Sequence, residues 1–261
     1  MAAYYNEVNP YAAGWLRNLV SAGLLPPGDV DDRSISDVRP DDLRGYAQCH
    51  FFAGIGGWAY AARLAGWPDD RPLWTGSPPC QPWSIAGNRA GAGDARHLWP
   101  DLFRLARAAR PAVLMGEQVA DAAGQGWLDG VAGDMEGIGY AFRACVLPAC
   151  SVGALHRRDR LYFVADAGSE GLSGAERAGW GEPGQEAAKV GAAATERDRG
   201  SPWGHYRQQL GADGLTRMVE PGICLLAHGI PARVDRLGAF GNAIVPQLAA
   251  EVIGAYLDLS P

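Results

Sequence analysis

Apolar residues along the chain follow two spacings, one typical of helices and one typical of buried strands. Residues 7–24 have the helical spacing and stop before a Pro-Pro-Gly turn, and residues 58–65 and 100–109 repeat it. Pro246 is expected in the first turn of a final helix. The short apolar runs that predict strands are residues 49–52, 73–75, 112–115, 142–147 and 161–165. This alternation of strands and helices predicts a parallel sheet covered on both faces.

The pattern breaks after Asp166. Residues 167–217 are rich in Gly, Ala, Glu and Arg, contain few aliphatic residues and show no clean period. Such a stretch is either a linker or a small loop-rich lobe. We therefore divide the chain into a first domain of residues 1–166, an inserted lobe of residues 167–217 and a C-terminal segment of residues 218–261.

The composition narrows the class of protein. The chain is 48% hydrophobic and 20% charged, which is enough apolar content for a buried core. No run of about 18 apolar residues predicts a membrane span, and the first residues lack the features of a secretion signal. The five cysteines form no CxxC pair, so we expect reduced thiols, no metal site and a cytoplasmic location.

The charge balance alone does not predict a nucleic-acid partner. The formal net charge is −6 and the pI is about 5.4, so no overall basic field attracts phosphates. The positive charge comes from 22 arginines and the single Lys189. This bias has two explanations, a GC-rich genome or bidentate recognition of phosphate or guanine, and composition does not decide between them.

Two segments at the ends of predicted strands carry candidate chemistry. Residues 50–57 form a glycine-rich turn between a strand and a helix, which either is an ordinary connection or lets a ligand approach free backbone amides. Cys80 lies in the proline-stiffened loop Pro78-Pro79-Cys80-Gln81-Pro82 after the next strand. It is either a structural cysteine or a thiolate nucleophile held at the carboxyl edge of the sheet.

Three later segments add charged and polar groups. Glu117 follows a buried strand directly, which indicates either a solvated loop carboxylate or an acid near Cys80 at the same edge. Three arginines, Arg157, Arg158 and Arg160, precede a strand and suit either a solvated face or the binding of phosphate or a carbonyl oxygen. Residues 241–246, which begin Gly-Asn-Ala, open the final helix.

Taken together and in this order, these segments resemble the DNA cytosine-5 methyltransferases. In that family the glycine turn binds S-adenosylmethionine, a Pro-Cys-Gln loop carries the nucleophile, and a Glu-Asn-Val segment supplies an essential carboxylate. A Gln-x-Arg-x-Arg segment and a Gly-Asn-Ser/Ala segment complete the set. The resemblance implies that the catalytic residues are Cys80, Glu117, Arg158 and Arg160.

The resemblance also implies two sets of binding residues. Those expected to bind the cofactor are Phe52, Ala53, Gly54, Gly56, Gly57, Pro79, Asn242 and Ala243. Those expected to contact DNA are Gln81, Ser84, Arg157, Arg197, Arg199 and Arg207. Two positions depart from the family pattern: Gln118 replaces an Asn that helps hold the cysteine loop, and His156 replaces the first Gln of the arginine motif.

The order of the motifs departs from the family as well. Two acidic motifs that the family has between the glycine turn and the cysteine loop do not fit between Gly57 and Pro79. Upstream, Glu7 lies in a segment that resembles the ribose-binding motif, and Asp29 lies in one that resembles the adenine-binding motif. We therefore expect the second and third strands of the family to precede the first. On this reading Glu7 and Asp29 each end a strand at the edge where the ligand binds.

The resemblance implies an α/β fold, namely a Rossmann-like sheet of the S-adenosylmethionine-dependent methyltransferases. Residues 1–166 would be the catalytic and cofactor-binding domain, and residues 167–217 a small inserted target-recognition lobe. The expected reaction is methylation of cytosine C5 in double-stranded DNA through a Cys80 adduct and base flipping. The expected protein is a monomer near the nucleoid, of phage or restriction-modification type. The alternatives are an RNA cytosine-5 methyltransferase and a catalytically weak DNA-binding relative.

Overall fold

A seven-stranded mixed sheet with helices on both faces forms the frame of the protein. The computed structural model describes residues 2–79, 98–124, 126–154, 156–168, 207–210, 216–219 and 243–259. An open sheet of this kind is Rossmann-like, and it confirms the predicted α/β class.

The strands are β1 (Ala2–Asn6), β2 (Gly28–Asp31), β3 (Tyr46–Phe51), β4 (Leu73–Gly76), β5 (Val113–Val119), β6 (Ala141–Pro148) and β7 (Asp159–Asp166), with a separate hairpin of β8 (Arg207–Leu210) and β9 (Thr216–Val219). The helices are α1 (Pro10–Ser21), α2 (Gly57–Leu64), α3 (Trp99–Ala109), α4 (Asp121–Gly124), α5 (Trp127–Gly137) and α6 (Pro246–Leu259). Short 3-10 helices are Ile35–Asp37, Pro40–Leu43 and Ala149–Val152.

The strand order in the sheet is β2-β1-β3-β4-β5-β7-β6. Strands β1 to β5 are parallel, and β7 runs antiparallel to both β5 and β6. Strands β1 and β2, which precede β3 in the chain, therefore lie beyond β3, on the side away from β4. This confirms the expected reordering, whereas the prediction of an all-parallel sheet is wrong for β7.

Strand β1 and the start of α1 are held beside β3 by main-chain and side-chain contacts. Tyr4 and Tyr5 are both buried, and the main chain continues the pairing where Ala53 N donates to Asn6 O at 3.0 Å. Asn9 caps α1, since its side chain accepts from the amides of the first turn. The cap ends the extended segment at residue 9, so the helix is shorter than the predicted residues 7–24.

Alternate side chains of the sheet pack into two cores on its opposite faces. On one face, Phe51, Trp74 and Leu114 pack among α3 and α5. On the other face, Met115 and Tyr162 pack against α2 and α6. The central strands are therefore covered on both sides, as their continuous apolar sequence predicts.

Two regions contain structure that the sequence analysis did not predict. The polar stretch after β2 buries the isolated apolar residues Ile35, Val38 and Leu43, and two 3-10 helices hold them. Helix α5 buries Trp127 and Val131, which have helical spacing and would have predicted it. Among the described residues, no helix combines the length and the hydrophobicity that crossing a bilayer requires.

The predicted recognition lobe, residues 167–217, falls largely outside the described residues. Strand β8 and the first part of β9 lie within it and pair antiparallel. The division of the chain into two domains and a returning segment stays a prediction.

Candidate active site

Several of the predicted site residues lie at the carboxyl edge of the parallel strands. Glu7 follows β1, the glycine turn follows β3 and Ser77 follows β4. Glu117 lies in β5 one position beyond Gly116, the residue that pairs with the last residue of β4. Because β7 is antiparallel, the start of β7 reaches this edge, and Arg160 pairs with the end of β5.

Glu7 binds the glycine turn directly. Its Oε2 accepts from the amide of Gly54 at 2.7 Å, and its Oε1 accepts from the amide of Asn9 at 2.8 Å. Gly54 has a φ of 56°, and an added Cβ there would meet nothing within 4 Å. The turn therefore leaves open space beside a half-buried carboxylate.

The other two motif glycines are required by packing. A Cβ on Gly56, whose φ is 84°, would lie 2.5 Å from Leu25 Cδ1, and one on Gly57 would lie 2.8 Å from Ile244 Cγ1. Phe52 precedes them with a φ of 51°, unusual for a residue with a side chain, and Ala53 is buried. The turn therefore lies in close contact with the segment after α1 and with the segment before the final helix.

Glu117 is the central acid of the site. It is only 7% exposed, and its Oε1 lies 2.9 Å from Arg160 Nε. Burial raises the pKa of the Glu117 carboxyl above its ordinary value. The guanidinium groups of Arg160 and Arg158, and a hydrogen bond with the Ser77 side chain, act against that rise in pKa. The pKa of Glu117 therefore reflects two opposing effects, burial on one side and the neighbouring cations and hydrogen-bond donor on the other.

Gln118 holds the loop that leads to Cys80. Its Nε2 donates to the carbonyl of Pro78 at 3.2 Å. A glutamine therefore makes the kind of contact expected of the Asn that it replaces. Pro79 is exposed and is the last described residue before Cys80. Cys80, Gln81 and Ser84 themselves lie outside the described residues.

The arginine motif is tied to the final segment. Arg158 has a φ of 38°, and its Nη2 donates to the carbonyl of Ala243 at 2.9 Å. Arg157 is exposed and pairs with Asp159. Asn242 lies outside the described residues, and the cofactor-binding role of both residues stays a prediction.

The expectation that Asp29 ends a strand at this edge is wrong. Strand β2 runs from Gly28 to Asp31, so Asp29 lies in its first half. Its exposed carboxylate accepts from the hydroxyl of Tyr46, at the start of β3, at 2.7 Å. The resemblance identified the segment correctly but could not give the strand register, which places Asp31 at the carboxyl end. Asp69 lies before β4, at the opposite edge as expected, and pairs with Arg63.

The four arginines expected to contact DNA, namely Arg157, Arg197, Arg199 and Arg207, stay predictions. Arg197 and Arg199 lie outside the described residues, and Arg207 is described only as part of β8. Within the described residues, no group of three or more His, Cys, Asp or Glu could hold a metal ion. Sequence reasoning missed Ser77 and Trp58, which contact each other at the edge, with Trp58 Nε1 at 3.0 Å from Ser77 Oγ.

Comparisons with known proteins agree with this arrangement. Residues 66–178 match the family model described as C-5 cytosine-specific DNA methylase. The type II methyltransferase M.HgiCII of Herpetosiphon aurantiacus is 27% identical over 154 residues, which cover 43% of this chain and 35% of that protein. The type II methyltransferase M.HhaI of Haemophilus parahaemolyticus is 35% identical over 101 residues, which cover 37% of this chain and 31% of that protein. The matched stretches span about a third of these relatives' length.

Among solved structures, the S. pombe Dnmt2 methyltransferase is similar with a TM-score of 0.41 and 16% identity, covering 66% of this chain and 52% of that chain. The methyltransferase EhMeth of Entamoeba histolytica has a TM-score of 0.41 and 13% identity, covering 65% of this chain and 54% of that chain. The matched region 66–178 contains the cysteine loop, Glu117 and the arginine motif. Over this region the chain is therefore similar to the C-5 cytosine-specific DNA methylases.

Proposed function

We propose that this chain transfers a methyl group from S-adenosylmethionine to C5 of cytosine in double-stranded DNA, as a monomer in the cytoplasm. The main observation behind this proposal is that the buried Glu117 forms an ion pair with Arg160 beside the loop that leads to Cys80. Cytosine C5 chemistry requires an acid, a cation and a thiol together, and the Glu117–Arg160 pair, with Gln118 bound to Pro78, supports that assignment.

The residues around the glycine turn fit the cofactor of this family. S-adenosylmethionine offers two ribose hydroxyls that need acceptors. A carboxylate has about four acceptor positions, and the amides of Gly54 and Asn9 occupy two of those on Glu7. The open space beside Gly54 admits a ligand against the main chain. When bound, the cofactor supplies an electrophilic methyl group.

The base must leave the duplex before it can react. C5 of cytosine is a weak nucleophile, and attack of the Cys80 thiolate on C6 makes C5 electron-rich. C6 is inaccessible within a stacked duplex, so the cytosine is flipped into the site. Flipping costs roughly a few kcal/mol, which contacts in the pocket offset.

Glu117 and the arginines stabilise the base as Cys80 adds. As a carboxylic acid, Glu117 donates its proton to N3 and accepts from the exocyclic amine, a pattern that thymine does not offer. Burial favours this protonated form because it raises the pKa of the Glu117 carboxyl. Arg160 supports the O2 oxygen as negative charge builds on it, and Arg158 orients the base or the loop.

The reaction closes with the release of the enzyme. Once C5 has gained the methyl group, a base acting through water removes the C5 proton. The electron pair of that C–H bond restores the C5–C6 double bond, and the Cys80 thiolate leaves C6. N3 returns its proton to Glu117, so the enzyme regains its starting state with no change in oxidation level.

The proposal assigns sequence choice to residues 167–217. Replacing Arg197, Arg199 or Arg207 with alanine should weaken DNA binding or relax site preference, by about 1–3 kcal/mol for each base contact. Methylation rates and gel-shift affinities on a panel of duplexes measure both effects. If all three variants keep the affinity and the site preference of the parent, the lobe does not recognise DNA.

Glu7 gives the sharpest test of the cofactor site. Replacing Glu7 with alanine should weaken S-adenosylmethionine binding by roughly tenfold to a hundredfold, since a charge-assisted hydrogen bond contributes about 1.5–3 kcal/mol. Isothermal titration calorimetry measures the change. Asp69→Ala is the control, because Asp69 pairs with Arg63 at the opposite edge. A larger loss in Asp69→Ala than in Glu7→Ala contradicts the assignment.

The function itself is tested by sequencing. Bisulfite or long-read sequencing of DNA from cells that express the protein reports activity and recognition site together. In vitro, the protein is offered duplex DNA and structured RNA of the same sequence with labelled cofactor. Methylation of the duplex alone supports the proposal, whereas methylation of RNA alone or of neither contradicts it.

A further inference from the structure

A row of buried polar side chains crosses the sheet next to the candidate site. Tyr5, His50 and Thr75 are the penultimate residues of β1, β3 and β4, and the strand register places them side by side. All three are buried. Within two residues each strand leads into a segment of the candidate site, namely Glu7, the glycine turn and the loop that leads to Cys80. A contact along this row therefore acts on the positions of all three segments.

His50 is the centre of the row and contacts a side chain on each side. Its Nδ1 lies 2.8 Å from the Thr75 hydroxyl oxygen, and its ring stacks on the Tyr5 ring with the centroids 5.3 Å apart. Its Nε2 lies 3.2 Å from Oε1 of Gln48, two residues earlier in β3. The Tyr5 hydroxyl continues the row, since it donates to the carbonyl of Pro26, just before β2, at 2.8 Å. The row therefore links the start of β2 to β4.

The donors and acceptors around His50 fix which ring nitrogen carries the hydrogen. The Nε2 of Gln48 donates to the carbonyl of Pro68 at 3.0 Å, and a carbonyl can only accept, so the Gln48 amide has one orientation. Its Oε1 then needs a donor, which is an N–H at Nε2 of His50. The Nδ1 of His50 is left as an acceptor for the Thr75 hydroxyl. A neutral imidazole with its hydrogen on Nε2 therefore satisfies every one of these groups.

The surroundings of His50 do not favour a second proton on the ring. The titratable and charged groups of the elements around this face of the sheet are Tyr5 of β1, Tyr11 and Arg17 of α1, Tyr60 and Arg63 of α2, and Asp69 and Asp70 of the loop before β4. Arg17 pairs with Asp32 at 2.9 Å, and Arg63 pairs with Asp69 at 2.7 Å. Burial lowers the pKa of His50 to about 3. The ring therefore stays neutral at the pH values where an ordinary histidine titrates.

We propose that His50 is a positioning residue for the candidate site, and that its neutral imidazole, with the hydrogen on Nε2, holds β1, β3 and β4 at a fixed relative height. Glu7 reaches the amide of Gly54 at 2.7 Å only while β1 and β3 keep that height. The contact with Thr75 does the same for the loop that leads to Cys80. The consequence for cofactor binding rests on the proposed function, whereas the bridge itself does not.

The bridge is tested by the protonation of His50 in the unliganded full chain. Protein labelled with ¹⁵N-histidine is followed by NMR, and the His50 signals are assigned by their loss in His50→Gln, or by their contact with the Tyr5 ring if that variant does not fold. We expect a hydrogen on Nε2, none on Nδ1, and no titration between about pH 5 and pH 8, where an ordinary histidine titrates. A hydrogen on Nδ1, or titration at the ordinary pKa of histidine, overturns the inference.

The positioning role is tested by removing the hydroxyl of Thr75. Thr75→Val keeps the shape of the side chain but leaves Nδ1 without a donor, so the affinity for S-adenosylmethionine in titration calorimetry should fall about threefold to tenfold. Thr75→Ser keeps a hydroxyl and should restore the parent affinity. Gln48→Met removes the acceptor for Nε2 and carries the same test if Thr75→Val does not fold. An unchanged affinity in either folded protein overturns the inference.

A matched control separates positioning from a general loss of stability. Tyr140 is also buried, and its hydroxyl donates to the carbonyl of Pro111, which precedes β5 at the opposite edge of the sheet. Tyr140→Phe should lower the unfolding temperature, as Thr75→Val does, but leave the cofactor affinity unchanged. An equal loss of affinity in both variants overturns the positioning role. A parent protein that binds no S-adenosylmethionine refutes the proposed function and the positioning role with it, whereas the NMR signals still decide whether the bridge exists.

Discussion

Replacing Cys80 with alanine should abolish the covalent adduct between this protein and DNA that carries 5-fluorocytosine. The fluorine at C5 cannot be removed as a proton is, so the parent enzyme stays attached through its sulfur after methyl transfer. Without the thiolate, no bond to C6 forms, and methylation of normal DNA should fall by more than about 10⁴-fold, as the loss of a nucleophile does in other enzymes. Denaturing gels of protein incubated with labelled duplex show the adduct.

The chain offers matched controls for this experiment. Cys145 and Cys150 are both exposed thiols. Cys145→Ala and Cys150→Ala should therefore keep the adduct, while Cys80→Ala should lose it and still bind the cofactor. An adduct of normal yield in Cys80→Ala would exclude Cys80 as the nucleophile.

Replacing Glu117 with glutamine should reduce methylation by roughly 10²–10⁴-fold, the range typical of a lost general acid. Glutamine keeps the shape of the side chain and can still accept one hydrogen bond, but it cannot deliver a proton to N3. The partner cation Arg160 then faces a neutral group, so a modest loss of stability is expected too. Single-turnover methylation and thermal unfolding separate the two effects.

Glu136, an exposed acid in α5, provides the control for Glu117. Glu136→Gln makes the same chemical change far from the strand edge and should leave the rate unchanged. If the methylation rate of Glu117→Gln stays within about threefold of the parent rate, Glu117 has no part in the reaction.

Most of the sheet could be predicted from the sequence because its central strands are short, continuous apolar runs. Strands β3, β4, β5 and β7 all follow that pattern. Strands β1 and β2 were not predicted from this pattern, and β2 has no apolar run because two of its four residues are aspartates. Only the resemblance of the Glu7 and Asp29 segments to family motifs indicated where they belong.

The candidate site could be predicted as a set of segments but not as a set of contacts. A motif identifies which segment approaches the ligand, and the contact of Glu7 with Gly54 agrees with that. The register of a strand decides which residue of the segment reaches the edge, and this is why the placement of Asp29 was wrong. Ser77 was missed because a lone serine after a strand has no distinguishing pattern until Glu117 and Trp58 are placed beside it.

The order of the strands also affects how the protein folds as it is synthesised. Strands β1 to β4 are consecutive in the chain and adjacent in the sheet, so residues 2–76 can pair without any later strand. Short separations between paired strands keep the entropy of loop closure low, and the ribosome releases the N-terminal part first. The nascent chain can therefore bring Glu7 to the glycine turn before Glu117 and Arg160 have been translated.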